Sequence, residues 1–63
     1  MSLTFTDINT GATVILQNSD IACAYNGDDF PQILTTSNVL YDILENWAYV
    51  YQQINGQPPP IGP

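Results

Sequence analysis

Lysine, arginine and histidine are all missing from this 63-residue chain, which carries six Asp and Glu and a formal net charge of −6. Nucleic-acid binding draws most of its affinity from cations that neutralise phosphates, and here only the N-terminal amine could serve. Anionic membrane surfaces are poor partners for the same reason. The composition therefore argues for no nucleic acid and no membrane among the partners.

Cysteine is almost as scarce. Cys23 is the only one, so no disulfide can form within one chain, and without histidine a Cys/His zinc site lacks ligands. A chain this short buries only about 60% of the surface its unfolded form exposes. Apolar burial at about 25 cal/mol per Å², set against about 1.5 kcal/mol of ordering entropy per residue, then comes out near zero. With neither staple available, the expected support is oligomerisation or docking onto other protein subunits.

Charged residues make up only 10% of the chain, well below the usual quarter, so Asn, Gln, Ser and Thr must supply most of the solvent-facing surface. Such a surface has few long side chains to immobilise and suits close packing against other subunits. Long apolar runs are lacking too. The longest, Ile21-Ala22-Cys23-Ala24-Tyr25, falls far short of the ~20 residues of a membrane span. The start Met1-Ser2-Leu3-Thr4 has no basic region and no signal-type apolar run, which gives the expectation of synthesis in a cytoplasm without a signal peptide.

The residues present predict an α+β fold: a small antiparallel sheet of three to four strands, arranged as hairpins and packed by one C-terminal amphipathic helix. Leu3 to Ile8 alternates Leu3 and Phe5 with threonines, Asn9-Thr10-Gly11 supplies a turn, and Ala12 to Gln17 returns with Val14 and Leu16 on one face. After the polar break Asn18-Ser19-Asp20, Ile21 to Tyr25 reads as a third strand. Asn26-Gly27 predicts a tight type I′ turn, and Phe30 to Thr35 a fourth strand, placed at an edge or begun irregularly because Pro31 cannot donate to a ladder.

From Thr36 to Ile54 the pattern fits one helix, capped by Thr36 or Ser37 and ended at Asn55-Gly56. At 100° per residue Val39, Leu40, Ile43, Leu44, Trp47, Val50, Tyr51 and Ile54 share an arc of about 140°. Trp47 and most of that stripe are expected in the core. Tyr41 and Ala48 widen the apolar side to about 200°, more than a small sheet needs, and Tyr49 lies among polar neighbours. Tyr41, Ala48 and Tyr49 are therefore candidate contacts with a second chain.

Gln57-Pro58-Pro59-Pro60-Ile61-Gly62-Pro63 cannot continue a helix and predicts an extended polyproline II arm, so residues 1–56 read as one domain and 57–63 as an arm. Pro60-Ile61-Gly62-Pro63 satisfies a PxxP pattern, although no basic residue flanks it. Pro58, Pro59, Pro60, Ile61 and Pro63 join the candidate partner contacts, as an arm lying on a neighbouring surface.

Catalytic residues are not apparent. Asp7, Asp20, Asp28, Asp29, Asp42 and Glu45 fall mostly in predicted turns or on a polar helix face, and Cys23 has no base to activate it. Asn26, Asp28 and Asp29 could offer oxygens to Ca²⁺, but the loop has no calcium pattern and a plain turn explains it better. No cofactor or metal is expected. The chain reads as a non-enzymatic assembly protein, a small accessory subunit such as a minor, cement or decoration component of a larger particle, with a virion, including that of a bacteriophage, as the expected setting. The alternative is a small acidic inhibitor of a basic site on a nucleic-acid-handling protein, and an adaptor presenting the proline arm comes behind both.

Overall fold

The computed structural model describes residues 2–57. The expected first hairpin is present: β1 (Ser2–Thr6) pairs antiparallel with β2 (Thr13–Gln17), placing Leu3 opposite Leu16 and Phe5 opposite Val14. Gly11 takes the positive φ of 75° that the turn requires. A single 3₁₀ turn, Asn18–Asp20, leads into β3 (Ile21–Tyr25).

The connection from β3 to β4 (Gln32–Thr35) is a loop over residues 26–31, not a two-residue type I′ turn. Neither Asn26 nor Gly27 has the positive φ that such a turn demands. Gly27 is required there for another reason. A Cβ at this position would collide with the Phe30 carbonyl oxygen. Pro31 delays the strand as expected, yet β4 is no edge, because it lies between β3 and β5 (Leu40–Asp42).

That fifth strand overturns the long helix. The stretch from Thr36 to Asn46 is a turn, a strand and a bend, and α1 spans only Trp47–Asn55. The cause is local. The Asn38 amide donates to the Thr35 carbonyl at 3.0 Å, the Thr35 amide to the Val39 carbonyl at 2.9 Å, and the Val39 amide to Thr35 Oγ1 at 3.1 Å. Thr35 thus offers its neighbours the hydrogen bonds that a helix would otherwise have supplied. Asn38 sits at φ 66°, left-handed backbone that asparagine tolerates and a β-branched residue does not. Asn38→Val should lower stability by about 1–2 kcal/mol, whereas Asn38→Gly should leave the urea midpoint nearly unchanged.

The helix cap is Asn46, neither Thr36 nor Ser37: its Oδ1 accepts from the Tyr49 amide at 2.9 Å. The other end falls where expected, with Gly56 left-handed at φ 75° and its amide donating to the Gln52 carbonyl at 2.8 Å.

Among the described residues five strands therefore form two sheets, β1-β2 and β3-β4-β5, where one sheet was expected. An antiparallel bridge between Asp7 and Ile43 joins them. Around it the Ile8 amide donates to the Asp42 carbonyl and the Leu44 amide to the Thr6 carbonyl, each at 2.8 Å, while the Ile43 amide turns the other way to the Pro31 carbonyl at 2.9 Å. The end of β5 is hence flanked on both sides. The spatial order is β2, β1, β5, β4, β3.

The core lies where these parts meet: Leu3 and Phe5 of β1, Val14 of β2, Ile33 of β4, Ile43 after β5 and Val50 of α1. Trp47 stands at its rim, half-buried, with its ring edge-on to Tyr51 at 5.9 Å. Val39, Leu40 and Leu44, expected to share the buried stripe with it, are exposed.

Candidate functional site

Pleat alternation gives the ladder two sides. Pro31, Ile33, Thr35, Tyr41 and Ile43 lie on the inner side and are buried or half-buried, and so do Leu3, Phe5, Val14 and Leu16. The partners across the register put Cys23, Tyr25, Gln32, Leu34, Leu40 and Asp42 on the outer side of the three-stranded sheet. Ile8 continues that side beyond the bridge, next to Asp42, with Leu44 opposite Thr6.

The outer side of an antiparallel sheet with one covered face is ordinarily polar. Here it carries Ile8, Tyr25, Leu40 and Leu44 at 39%, 47%, 50% and 59% exposure, with Ile15 of β2 at 64% on the same side of the pleat. Val39, in the turn before β5, is exposed as well. No element among the described residues covers this side. The core and α1 occupy the other one.

Asp42 stands within this apolar side. Gln32 Nε2 donates to its Oδ1 and Asn9 Nδ2 to its Oδ2, each at 2.9 Å. The Gln32 amide, and then that of Asn9, hold the carboxyl below the ordinary carboxylate range against a smaller opposing effect of desolvation. Nearby, Cys23 Sγ and the Tyr25 hydroxyl are hydrogen-bond partners at 3.1 Å, and the phenol is raised above its usual value because the adjacent sulfur favours its protonated form. Cys23, half-buried, lies on the outer side in contact with that tyrosine.

Glu45 has a different position. Its Oε1 accepts from the Thr6 amide and its Oε2 from Thr6 Oγ1, both at 2.8 Å. Burial pushes this carboxyl up, but the hydrogen bonds from the Thr6 side chain and backbone outweigh it, leaving Glu45 below the ordinary range. Tyr49 acts beside it: its hydroxyl donates to the Thr4 carbonyl at 2.8 Å and its ring meets Phe5 edge-on at 6.1 Å. On the side of β1 that faces away from β2, Glu45 accepts from the Thr6 amide, the Leu44 amide donates to the Thr6 carbonyl and Tyr49 to the Thr4 carbonyl.

Of the candidate contacts named from sequence, Tyr41 packs half-buried against the core, Ala48 is exposed on α1, and Tyr49 is exposed at 36% while engaged with Phe5 and Thr4. They do not form one patch with the outer side of the sheet. Pro58, Pro59, Pro60, Ile61 and Pro63 lie outside the described residues. Sequence reading missed Ile8, Tyr25, Leu34 and Leu40 as surface features. Leu40 and Leu44 face outward and Tyr41 and Ile43 inward, all four apolar, so no polar alternation marked the strand.

Among the described residues there is no pocket, no group of three His, Cys, Asp or Glu placed to hold a metal, and no helix long and apolar enough to cross a membrane. Comparison with protein-family models, with curated proteins and with solved structures finds no match to this chain.

Proposed function

We propose that this chain is a non-enzymatic assembly protein, a small accessory subunit of a larger particle such as a virion, whose sheet is covered by another protein subunit. The observation that carries the reading is the uncovered outer side of the ladder, with Ile8, Tyr25, Leu40 and Leu44 all exposed beside a core that, among the described residues, has six buried apolar side chains. Exposed apolar groups gathered on one side mark interaction surfaces. A chain this short, with one cysteine and no histidine, gains the stability it otherwise lacks by burying that side.

Leu40→Ser tests this, because Leu40 is 50% exposed and contributes little to the core. The variant should melt within a few degrees of the parent by circular dichroism, yet no longer co-sediment with the native particle. Mass spectrometry of that particle should find the parent chain, using a protease other than trypsin because the sequence has no Lys or Arg. A parent chain that stays monomeric and is absent from every particle fraction would rule the reading out.

The second reading, an acidic inhibitor of a basic site on a nucleic-acid-handling protein, is favoured by the charge of −6 without a single basic side chain. It requires binding that weakens steeply with salt and no co-sedimentation with a particle.

A further inference from the structure

We propose that the outer side of the sheet docks a basic partner protein, with an arginine of that partner seated on Asp42 between Ile8, Tyr25, Leu34 and Leu40. This rests on the reading that the outer side is covered in an assembly, and it identifies what covers it.

Geometry and charge both lead there. Asp42 is opposite Gln32 on β4 and beside Ile8 of the β1 extension, and Leu40, two residues earlier on β5, is opposite Leu34. Any apolar surface laid over these leucines and Tyr25 also removes water from the Asp42 carboxylate. A buried carboxylate without a cation is strongly disfavoured, so the covering surface has to bring one. No side chain of this protein can supply it. The chain has no Lys, Arg or His, so a second copy would set −6 against −6, and the proline arm contains no basic residue.

Arginine fits better than lysine. A carboxylate has about four acceptor positions, and Asp42 uses one on each oxygen, for Gln32 and for Asn9. The two amides hold the carboxylate in one orientation, and one acceptor position per oxygen stays open for the two parallel N–H groups of a guanidinium.

The test is an NMR titration of the ¹⁵N-labelled full chain with a capped Leu-Arg-Leu-Arg-Leu peptide. A matched peptide in which citrulline, neutral and nearly isosteric, replaces arginine serves as the control. The arginine peptide should shift the amides of Tyr25, Leu34, Leu40 and Asp42, and citrulline or Asp42→Asn should each weaken binding about tenfold or more. Leu40→Ser, which keeps the carboxylate, should weaken binding of both peptides. Equal affinity for the two peptides, no effect of Asp42→Asn, no binding at all, or shifts confined to other residues would each overturn the proposal. So would a dimer of the chain alone that Leu40→Ser dissociates, or contacts between the tail prolines and the Leu40 methyls. Particle association that persists in Asp42→Asn overturns the arginine contact and leaves the assembly reading standing.

Discussion

Phe5→Ala is expected to leave no folded protein at room temperature. Phe5 is fully buried at the junction of both sheets and α1, with its ring against Tyr49. Truncating a core phenylalanine costs about 3–5 kcal/mol, lost transfer energy plus the cavity left behind. A single core in a chain this short rarely supplies more than about 3–5 kcal/mol in total, so the loss matches the whole margin. Far-UV circular dichroism and amide dispersion should both collapse. A cooperative thermal transition in Phe5→Ala would show that the core is not centred there. Trp47→Ala provides the contrast: at the rim and half-buried, it should lower the melting temperature while leaving a folded protein.

Glu45→Ala should produce the largest loss outside the core, about 1–3 kcal/mol, because it removes two acceptors and leaves the Thr6 amide without its partner. Partial exposure of the site, which lets water replace the carboxylate, places the effect toward the lower part of that range. The loss should depend on pH. Glu45 and Asp42 both have folded values below the ordinary carboxylate range. For a depressed carboxylate, the stabilisation is complete above the unfolded value, near pH 4, and is lost as pH falls through the folded value. Urea unfolding of the parent should therefore weaken on acidification below about pH 4. Glu45→Ala should show a shallower acid slope than the parent, the remainder coming from Asp42 and the other acids. An unchanged acid slope would mean that the carboxylate is not held by Thr6 in solution.

Much of the first half could be read in advance because its signals are local. Leu3 and Phe5 alternate with threonines, Gly11 permits the turn, and Val14 and Leu16 answer from the second strand, so one hairpin puts these four side chains on one face. Gly56 ends the helix for an equally local reason. The Asn26-Gly27 turn failed because Pro31 delays β4 and lengthens the loop beyond what a two-residue turn can close.

The second half misled for a definable physical reason. Tyr41 and Ile43 face inward while Leu40 and Leu44 face outward, so a strand apolar on both sides carries no polar alternation to reveal it. Followed by a true helix at Trp47, it fits a period of 3.6 by default. Register selects between the two, and register belongs to the tertiary structure: the end of β5 is flanked by β4 on one side and by the end of β1 on the other, over 30 residues away in sequence. The surplus of apolar residues was thus evident in the sequence by itself, along with the missing cations and the lack of any staple. Where that surplus goes was decided only by the fold. Pairing beside β4 exposes Leu40 and Leu44 on a sheet, not on a helix, and brings Gln32 and Asn9 onto Asp42 through hydrogen bonds that no local pattern encodes.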